Sequence, residues 1–222
     1  MSWKKECLKN FKLYAITDLK AKDPRILKVI ERALKGGVDV IQLRSKTLSD
    51  AALFELGQKI RTLTNRMEKL FIVNDRVDLA LAVGADGVHL GQDDLPIAFA
   101  RRLSGKNLLI GRSTHSLKQA EEAQTQGADY IGFGPVFGTP TKPTYPPIGL
   151  SQIPQVMKQI RIPVVCIGGI DHLNAAEVVR AGARRIAVVR AVFAADDPYQ
   201  SAVELKACLP AGREFLNGSH KN

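Results

Sequence analysis

Two alternating patterns of apolar and polar positions run along the chain. Short runs rich in β-branched and aromatic residues predict eight strands. These runs occupy residues 13–17, 40–44, 70–74, 87–91, 108–113, 130–136, 163–170 and 185–189. Amphipathic stretches of helical length lie between them, most clearly at 23–35, 49–67, 116–126 and 174–181, with Ser49 and Asp171 as predicted N-caps. Alternation of strand and helix predicts an α/β fold with a parallel sheet.

A short motif precedes every second predicted strand. It consists of a glycine, a small residue and a polar residue, as in Gly37-Val38-Asp39, Gly84-Ala85-Asp86, Gly127-Ala128-Asp129 and Gly182-Ala183-Arg184. The glycine suits the left-handed conformation that ends a helix, so the motif indicates a βαβα unit used four times. Eight such strands close best as a (β/α)₈ TIM barrel. The alternative is an open doubly wound sheet, which usually carries a glycine fingerprint that residues 14–18 lack.

Length and composition agree with one domain. A chain of 222 residues with 45% hydrophobic residues can bury a full core. We expect an N-terminal extension at 1–12, the barrel at 13–209 and a disordered tail at 210–222. The three cysteines are widely spaced, which predicts neither disulfides nor a zinc site and favours a reducing cytoplasm. The apolar stretches predict neither a signal peptide nor a membrane span.

The chain carries a formal net charge of +10, which favours anionic partners. The basic residues are scattered, with no run interleaved with aromatic residues, so nucleic acid is not an expected partner. The charge alone does not choose among nucleic acid, an acidic membrane and phosphorylated metabolites.

The active site of a TIM barrel lies at the carboxyl ends of its strands. The second strand ends in Gln42, Arg44 and Lys46, which alternation sends to one side, where they would bind a polyanion. The alternative is that these are solvated charges at a strand end. Asp75 and Asp94 follow the third and fourth strands and would suffice as protein ligands for Mg²⁺ bound to phosphates. The alternative there is that Asp94 or its neighbour Asp93 caps a helix.

The remaining strand ends are also polar. His89 is expected to face the mouth, where it could hydrogen-bond to or stack on a heteroaromatic ring. The fifth strand brings Ser113, although a hydroxyl there is also typical of a helix cap. Residues 134–143 form a glycine- and proline-rich loop, with Lys142, that could close over an anion. Gly169 lies at the end of the seventh predicted strand and Arg190 follows the eighth, where TIM barrels commonly bind phosphate.

Together these residues predict two anion sites and hence two substrates. The sequence suggests no Ser-His-Asp or Cys-His pairing. We therefore expect catalysis by electrostatic stabilisation of a departing pyrophosphate, without a protein nucleophile.

Eight short motifs occur in order at the predicted strand ends: YAITD, QLRSK, NDRVDLA, GADGVHLGQDD, GRSTHS, GADYIGFGPVFGTPTK, CIGGI and AVVRA. In this order and spacing the chain resembles the thiamine phosphate synthase family, from about residue 13 to about 209. The resemblance implies a (β/α)₈ barrel that couples hydroxymethylpyrimidine pyrophosphate to hydroxyethylthiazole phosphate with Mg²⁺. It also implies a dissociative mechanism, in which pyrophosphate leaves first and the thiazole nitrogen captures a pyrimidine methyl carbocation.

The resemblance also implies residue roles. The pyrophosphate would be held by Gln42, Arg44, Lys46, Asn74, Ser113 and Lys142, the metal by Asp75 and Asp94, and the pyrimidine by His89 with Gln42. The thiazole phosphate site would be lined by Thr139, Thr141, Gly169, Val189 and Arg190.

Three arginines depart from the family pattern. Relatives often carry serine at position 190, so Arg190 would either grip the phosphate or pair with a helix carboxylate. Arg112 and Arg184 are interpreted as surface charges. Two alternative functions stay open, namely a thiazole tautomerase of the same barrel group and a non-catalytic sensor of phosphate ligands. Barrels often associate, so a homo-oligomer also stays open.

Overall fold

The computed structural model describes residues 3–19, 23–139 and 145–210, and within them eight strands alternate with helices. The strands are β1 (Leu13–Ile16), β2 (Val40–Leu43), β3 (Leu70–Asn74), β4 (Gly87–Leu90), β5 (Leu109–Thr114), β6 (Tyr130–Phe133), β7 (Val164–Ile167) and β8 (Ile186–Val188). The helices are α1 (Trp3–Asn10), α2 (Ile26–Lys35), α3 (Asp50–Arg66), α4 (Val77–Ala82), α5 (Ile97–Ser104), α6 (Leu117–Thr125), α7 (Ile153–Gln159), α8 (Ala175–Arg180), α9 (Arg190–Phe193) and α10 (Pro198–Ala207).

The eight strands form a closed parallel barrel in chain order. Each strand pairs with the next, and β1 closes the barrel by pairing with β8 through Leu13 and Ile186. The predicted TIM barrel is therefore confirmed, and the alternative of an open sheet is wrong. In the part of the chain described, no helix has the length and apolarity needed to cross a membrane.

Two apolar layers hold the barrel together. The outer layer lies between strands and helices, and Ile41, Phe71 and Ile131 are among its fully buried side chains. The inner layer fills the barrel and includes Tyr14 and Tyr130. A layer on each face explains why the strands are almost continuously apolar.

Helix α1 lies within the predicted N-terminal extension and covers the amino-terminal end of the barrel. Leu8 of α1 and Phe11, which follows it, are buried in the inner apolar layer. The guanidinium of Arg185 lies 5.3 Å from the centre of the Phe11 ring and donates to the Lys9 carbonyl at 2.6 Å. These contacts close the end of the barrel opposite the pocket described below.

The repeated glycine motif has a structural role at that same end. In three of the four repeats the aspartate accepts the backbone N–H at the start of a neighbouring strand: Asp39 from Leu13 at 3.0 Å, Asp86 from Phe71 at 2.9 Å and Asp129 from Ile110 at 2.8 Å. Each carboxylate also pairs with a lysine or arginine. The glycines have positive φ as predicted, at 111° for Gly37, 65° for Gly84, 89° for Gly127 and 107° for Gly182.

Some predicted boundaries change. Ser49 caps α3 by accepting from the Ala52 amide, as predicted. The predicted cap at Asp171 is wrong, because α8 begins at Ala175 after Asn174, and Asp171 instead accepts the Leu173 amide within the preceding turn. The predicted strands six and seven ran too far, since 134–136 and 168–170 lie beyond β6 and β7. The predicted disordered tail falls, beyond residue 210, outside the described residues.

Candidate active site

A pocket of about 640 Å³ opens at the carboxyl ends of the strands, and all eight strands contribute to its lining. This volume is typical of a small-molecule site. The pocket is lined by every predicted site residue that the structure describes, namely Gln42, Arg44, Lys46, Asn74, Asp75, His89, Asp94, Ser113, Thr139, Gly169, Val189 and Arg190. The other two, Thr141 and Lys142, lie outside the described residues.

Arg44 is a buried cation at the wall of the pocket. Only 4% of the residue is exposed, and its Nη1 pairs with the carboxylate of Asp18. Its backbone is held to β1, because the Arg44 amide donates to Thr17 Oγ1 at 2.8 Å and Thr17 Oγ1 donates to the Arg44 carbonyl at 3.0 Å. Nη2 is buried and has no hydrogen-bond partner among the described residues. A buried donor of this kind suits an anionic ligand.

Two carboxylates lie on the same side of the pocket. Asp75 follows β3 in the left-handed region, with φ of 61°, and its amide donates to the His89 carbonyl at 2.8 Å. Aspartate adopts that region more readily than most other residues, and residues held there cluster at active sites. Asp94 follows β4 and accepts the Gly91 amide at 2.6 Å. Helix α5 begins at Ile97 after Pro96, so the alternative that Asp93 or Asp94 caps it is wrong.

Two tyrosines that sequence reasoning missed lie directly under the pocket. Gln42 Nε2 donates to Tyr14 Oη at 2.8 Å, and His89 Nδ1 lies 3.2 Å from Tyr130 Oη. His89 Nε2 lies 3.0 Å from Ser113 Oγ. An aromatic residue inside an apolar strand predicts only a core position, so the sequence contained no signal for these contacts.

An aromatic pair forms another part of the wall. The rings of His115 and Tyr145 stack with centroids 3.8 Å apart and planes 18° apart, and both line the pocket. Neither residue is among those predicted from the sequence to form the site. Tyr145 follows the glycine- and proline-rich loop, and only its stacking on His115 in the structure identifies it as a site residue.

The opposite side of the pocket is formed after β7 and β8. Gly168 and Gly169 have φ of 101° and 64°, and a Cβ on Gly169 would lie 2.7 Å from the Gly138 carbonyl oxygen. Both positions therefore require glycine. Arg190 is exposed at the start of α9, and within the described ranges no carboxylate pairs with it. This arrangement disfavours the alternative that Arg190 pairs with a helix carboxylate.

Arg112 is not the surface charge that the sequence suggested. It is half-buried on β5 and donates to the Gln92 carbonyl at 3.1 Å, so it supports the loop after β4. Burial lowers the pKa of Arg112, and the nearby Asp94 and Asp93 oppose that shift. Arg184 is exposed, as predicted.

Comparison with known proteins identifies the family. The sequence model of the thiamine monophosphate synthase family matches residues 13–192. The chain is 50% identical over 187 residues to a thiamine-phosphate synthase of Gloeobacter violaceus, covering 84% of this chain and 54% of that relative. It is 49% identical over 207 residues to a thiamine-phosphate synthase of Chloroflexus aurantiacus, covering 92% of this chain and 95% of that relative. It thus spans about half of one relative and nearly all of the other.

A solved structure agrees with these sequence matches. The thiamine phosphate pyrophosphorylase of Pyrococcus furiosus superposes with a TM-score of 0.82 at 42% identity, covering 92% of this chain and 96% of that one. A second barrel, 3-hexulose-6-phosphate synthase, superposes with a TM-score of 0.66 at 20% identity and supports the fold alone. On the sequence match and the closely similar barrel, this chain belongs to the thiamine monophosphate synthase family.

Proposed function

We propose that this protein is a thiamine-phosphate synthase, a transferase that joins hydroxymethylpyrimidine pyrophosphate to hydroxyethylthiazole phosphate and releases pyrophosphate. The observation that carries the proposal is the pairing of two anion-binding sides in one pocket. Arg44 and Lys46 lie with two carboxylates on one side, and Gly169 lies with Arg190 on the other. The high identity to relatives named thiamine-phosphate synthase supports the same activity.

The side formed by β2 to β4 suits the pyrophosphate group. Nη2 of Arg44, which has no hydrogen-bond partner in the described part of the chain, would donate to a phosphate oxygen, while Nη1 stays on Asp18. Lys46 and Asn74 line the same wall and would add a charge and an amide donor. We propose the same role for Lys142, which the family resemblance alone supports.

The donor set also suits Mg²⁺. Asp75 and Asp94 supply hard carboxylate oxygens, and one oxygen of Asp94 is held by the Gly91 amide, which fixes the direction of the carboxylate. Mg²⁺ commonly uses only one or two protein carboxylates and completes its shell with water and substrate phosphate oxygens. When bound, the ion would neutralise charge on the departing pyrophosphate.

The side formed by β7 and β8 suits the single phosphate of the thiazole substrate. Gly168 and Gly169 let this turn pack closely against Pro135 and Gly138, and their backbone N–H groups would donate to the phosphate. Arg190 and Thr139 line the pocket at the same side and would contribute a charge and a hydroxyl. The positive charge of Arg190 would be an addition to this side, because the serine expected from the family resemblance is neutral.

The reaction needs no protein nucleophile. The bond between the pyrimidine methylene carbon and the pyrophosphate oxygen breaks, and its electron pair leaves with the pyrophosphate. The thiazole nitrogen then donates its lone pair to the methylene carbocation. Arg44, Lys46 and Ser113 would stabilise the charge that develops on the leaving group, and each such interaction typically contributes about 3–4 kcal/mol to the lowering of the barrier.

The cellular setting is also a proposal. All three cysteines are free thiols, which fits a reducing cytoplasm.

The exposed side chains of Leu81, Phe99 and Leu103 on α4 and α5 would suit association of two copies, which sedimentation velocity would test.

The decisive experiment is product formation from the two purified substrates with Mg²⁺, with and without EDTA. We expect thiamine phosphate and pyrophosphate in equal amounts, and no product with EDTA. A folded protein that binds the thiazole phosphate but forms no product would refute the synthase. Isomerisation of a thiazole phosphate carboxylate would then identify a tautomerase, and binding without turnover would identify a sensor.

A further inference from the structure

A continuous chain of hydrogen bonds crosses the barrel interior under the pocket. Gln42 Nε2 donates to Tyr14 Oη at 2.8 Å, and Tyr14 Oη lies 3.1 Å from Tyr130 Oη. Tyr130 Oη lies 3.2 Å from His89 Nδ1, and His89 Nε2 lies 3.0 Å from Ser113 Oγ. The chain therefore links side chains from five strands, with Gln42 at one end and Ser113 at the other.

The protons in this chain can be counted. Tyr14 Oη accepts from Gln42, so its own proton has Tyr130 Oη as its acceptor. Tyr130 then donates to His89 Nδ1, which must be the unprotonated nitrogen of a neutral imidazole. The His89 proton is on Nε2 and points to Ser113 Oγ. In the opposite arrangement, with the proton on His89 Nδ1, the Tyr14 proton would have an acceptor only if the Gln42 amide turned over and presented its oxygen to Tyr14.

The buried surroundings of Tyr14 and Tyr130 favour phenol hydroxyls that stay protonated and keep one orientation. Tyr14 is 2% exposed and Tyr130 is 1% exposed, and burial raises the pKa of both phenols. The ring of Phe11 packs edge-on against both, with centroid distances of 6.1 Å and 6.4 Å. Buried polar groups in such a setting keep the arrangement that satisfies every donor.

We propose that Tyr14 and Tyr130 are positioning residues, whose hydroxyls fix one direction of the chain and thereby set what Gln42 and Ser113 offer to the substrate. With its amide nitrogen on Tyr14, Gln42 presents its amide oxygen, an acceptor. With its oxygen accepting from His89, Ser113 presents its hydroxyl proton, a donor.

The two ends of the chain match the two ends of one substrate. An acceptor at Gln42 suits the amino group of a heteroaromatic ring, and a donor at Ser113 suits a pyrophosphate oxygen. This match to the substrate rests on the proposed function, whereas the direction of the chain rests on the hydrogen bonds alone.

The tautomer of His89 tests the direction without any substrate. The protein has four histidines, so NMR of the full chain labelled with ¹⁵N-histidine gives a simple spectrum, in which the variant His89→Asn identifies the His89 signals. We expect His89 to carry its proton on Nε2 alone. Tyr130→Phe should convert it to a mixture of tautomers, because Nδ1 loses its donor. Tyr14→Phe should leave it unchanged, because Tyr130 can still donate.

The kinetic parameters give a second readout. Tyr14→Phe frees the Gln42 amide and should raise KM for the pyrimidine substrate about tenfold with little change in kcat. Tyr130→Phe disturbs the donor to the leaving group and should lower kcat about tenfold. Tyr199→Phe removes the hydroxyl of a tyrosine on the exposed surface of α10 and should change neither the spectrum nor the kinetics.

Two results would overturn the proposal. One is a wild-type spectrum with the His89 proton on Nδ1, and the other is a folded Tyr130→Phe protein whose His89 tautomer is unchanged. If the spectrum is as expected but the wild-type protein forms no thiamine phosphate, the proposed function fails and the direction of the chain stands.

Discussion

A methyl group at position 111 would clash with the side chains packed beneath the pocket. Gly111 lies on β5 between His89 on β4 and Tyr130 on β6, and is in register with both. A Cβ on Gly111 would lie 2.2 Å from Tyr130 Cζ, and 2.5 Å from both His89 Nδ1 and Tyr130 Oη. Carbon atoms in contact stay about 3.5–4.0 Å apart, so the tyrosine ring would have to move by more than about 1 Å.

That movement would break the hydrogen bonds of the Tyr130 hydroxyl to Tyr14 and His89, which measure 3.1 Å and 3.2 Å. Overpacking a core costs about 1–3 kcal/mol. Leaving a buried polar group without a partner costs about 1–3 kcal/mol more. For Gly111→Ala we therefore expect the free energy of unfolding to fall by about 2–6 kcal/mol.

Urea unfolding followed by circular dichroism measures this loss, provided that the slope with denaturant stays unchanged. Gly138→Ala is the matched control, because a Cβ there would meet only Pro147 Cγ, at 4.0 Å, among the residues that the structure describes. We expect the control to change the free energy of unfolding by less than about 1 kcal/mol. A Gly111→Ala protein as stable as the control, with the His89 tautomer of the wild type, would refute the reasoning.

Three further predictions concern other parts of the barrel. Phe11→Ala should lower the free energy of unfolding by about 3–5 kcal/mol in the same assay, because the ring is buried against both tyrosines. Trp3→Ala, which removes a ring that is 43% exposed, should change it far less, and equal losses would contradict the role of the ring. Arg44→Lys should lower kcat about a hundredfold, since one ammonium cannot replace a guanidinium that pairs with Asp18 and would also bind the proposed pyrophosphate. Steady-state kinetics measure this change in kcat. The exposed Arg66→Lys is the control, and the pyrophosphate role of Arg44 fails if Arg44→Lys turns over as fast as that control. Burial raises the pKa of Cys166 to about 12, so iodoacetamide should label it in the native protein far more slowly than the other two cysteines, as mass spectrometry of the peptides would show. Labelling at equal rates would contradict its burial.

Short-range patterns in the sequence predicted much of this protein. Apolar runs and helical stretches predicted all eight strands and the barrel, because their period depends only on near neighbours. Parallel strands in a barrel bring their carboxyl ends to one face, so the chain order alone placed Gln42, Asp75 and Ser113 around one pocket. The sequence was less informative about where elements begin and end. It predicted Asp171 as the N-cap of a helix, but the Asp171 carboxylate instead accepts the Leu173 amide in the turn before α8.

Other contacts follow only from closure of the barrel. Tyr14 and Tyr130 are 116 residues apart, and each resembles an ordinary core aromatic residue in its own strand. The pairing of Asp18 with Arg44, and the burial of Phe11 beneath the tyrosines, likewise join separate segments.

The sequence by itself therefore determined the fold class, the family and the chemical groups at the strand ends. The tertiary structure decided which groups touch, and hence that Gln42 and Ser113 are the ends of one hydrogen-bond chain. The physical reason is that periodicity is a property of neighbouring residues, whereas a hydrogen bond across the barrel depends on strand register and on side-chain packing between strands far apart in the chain.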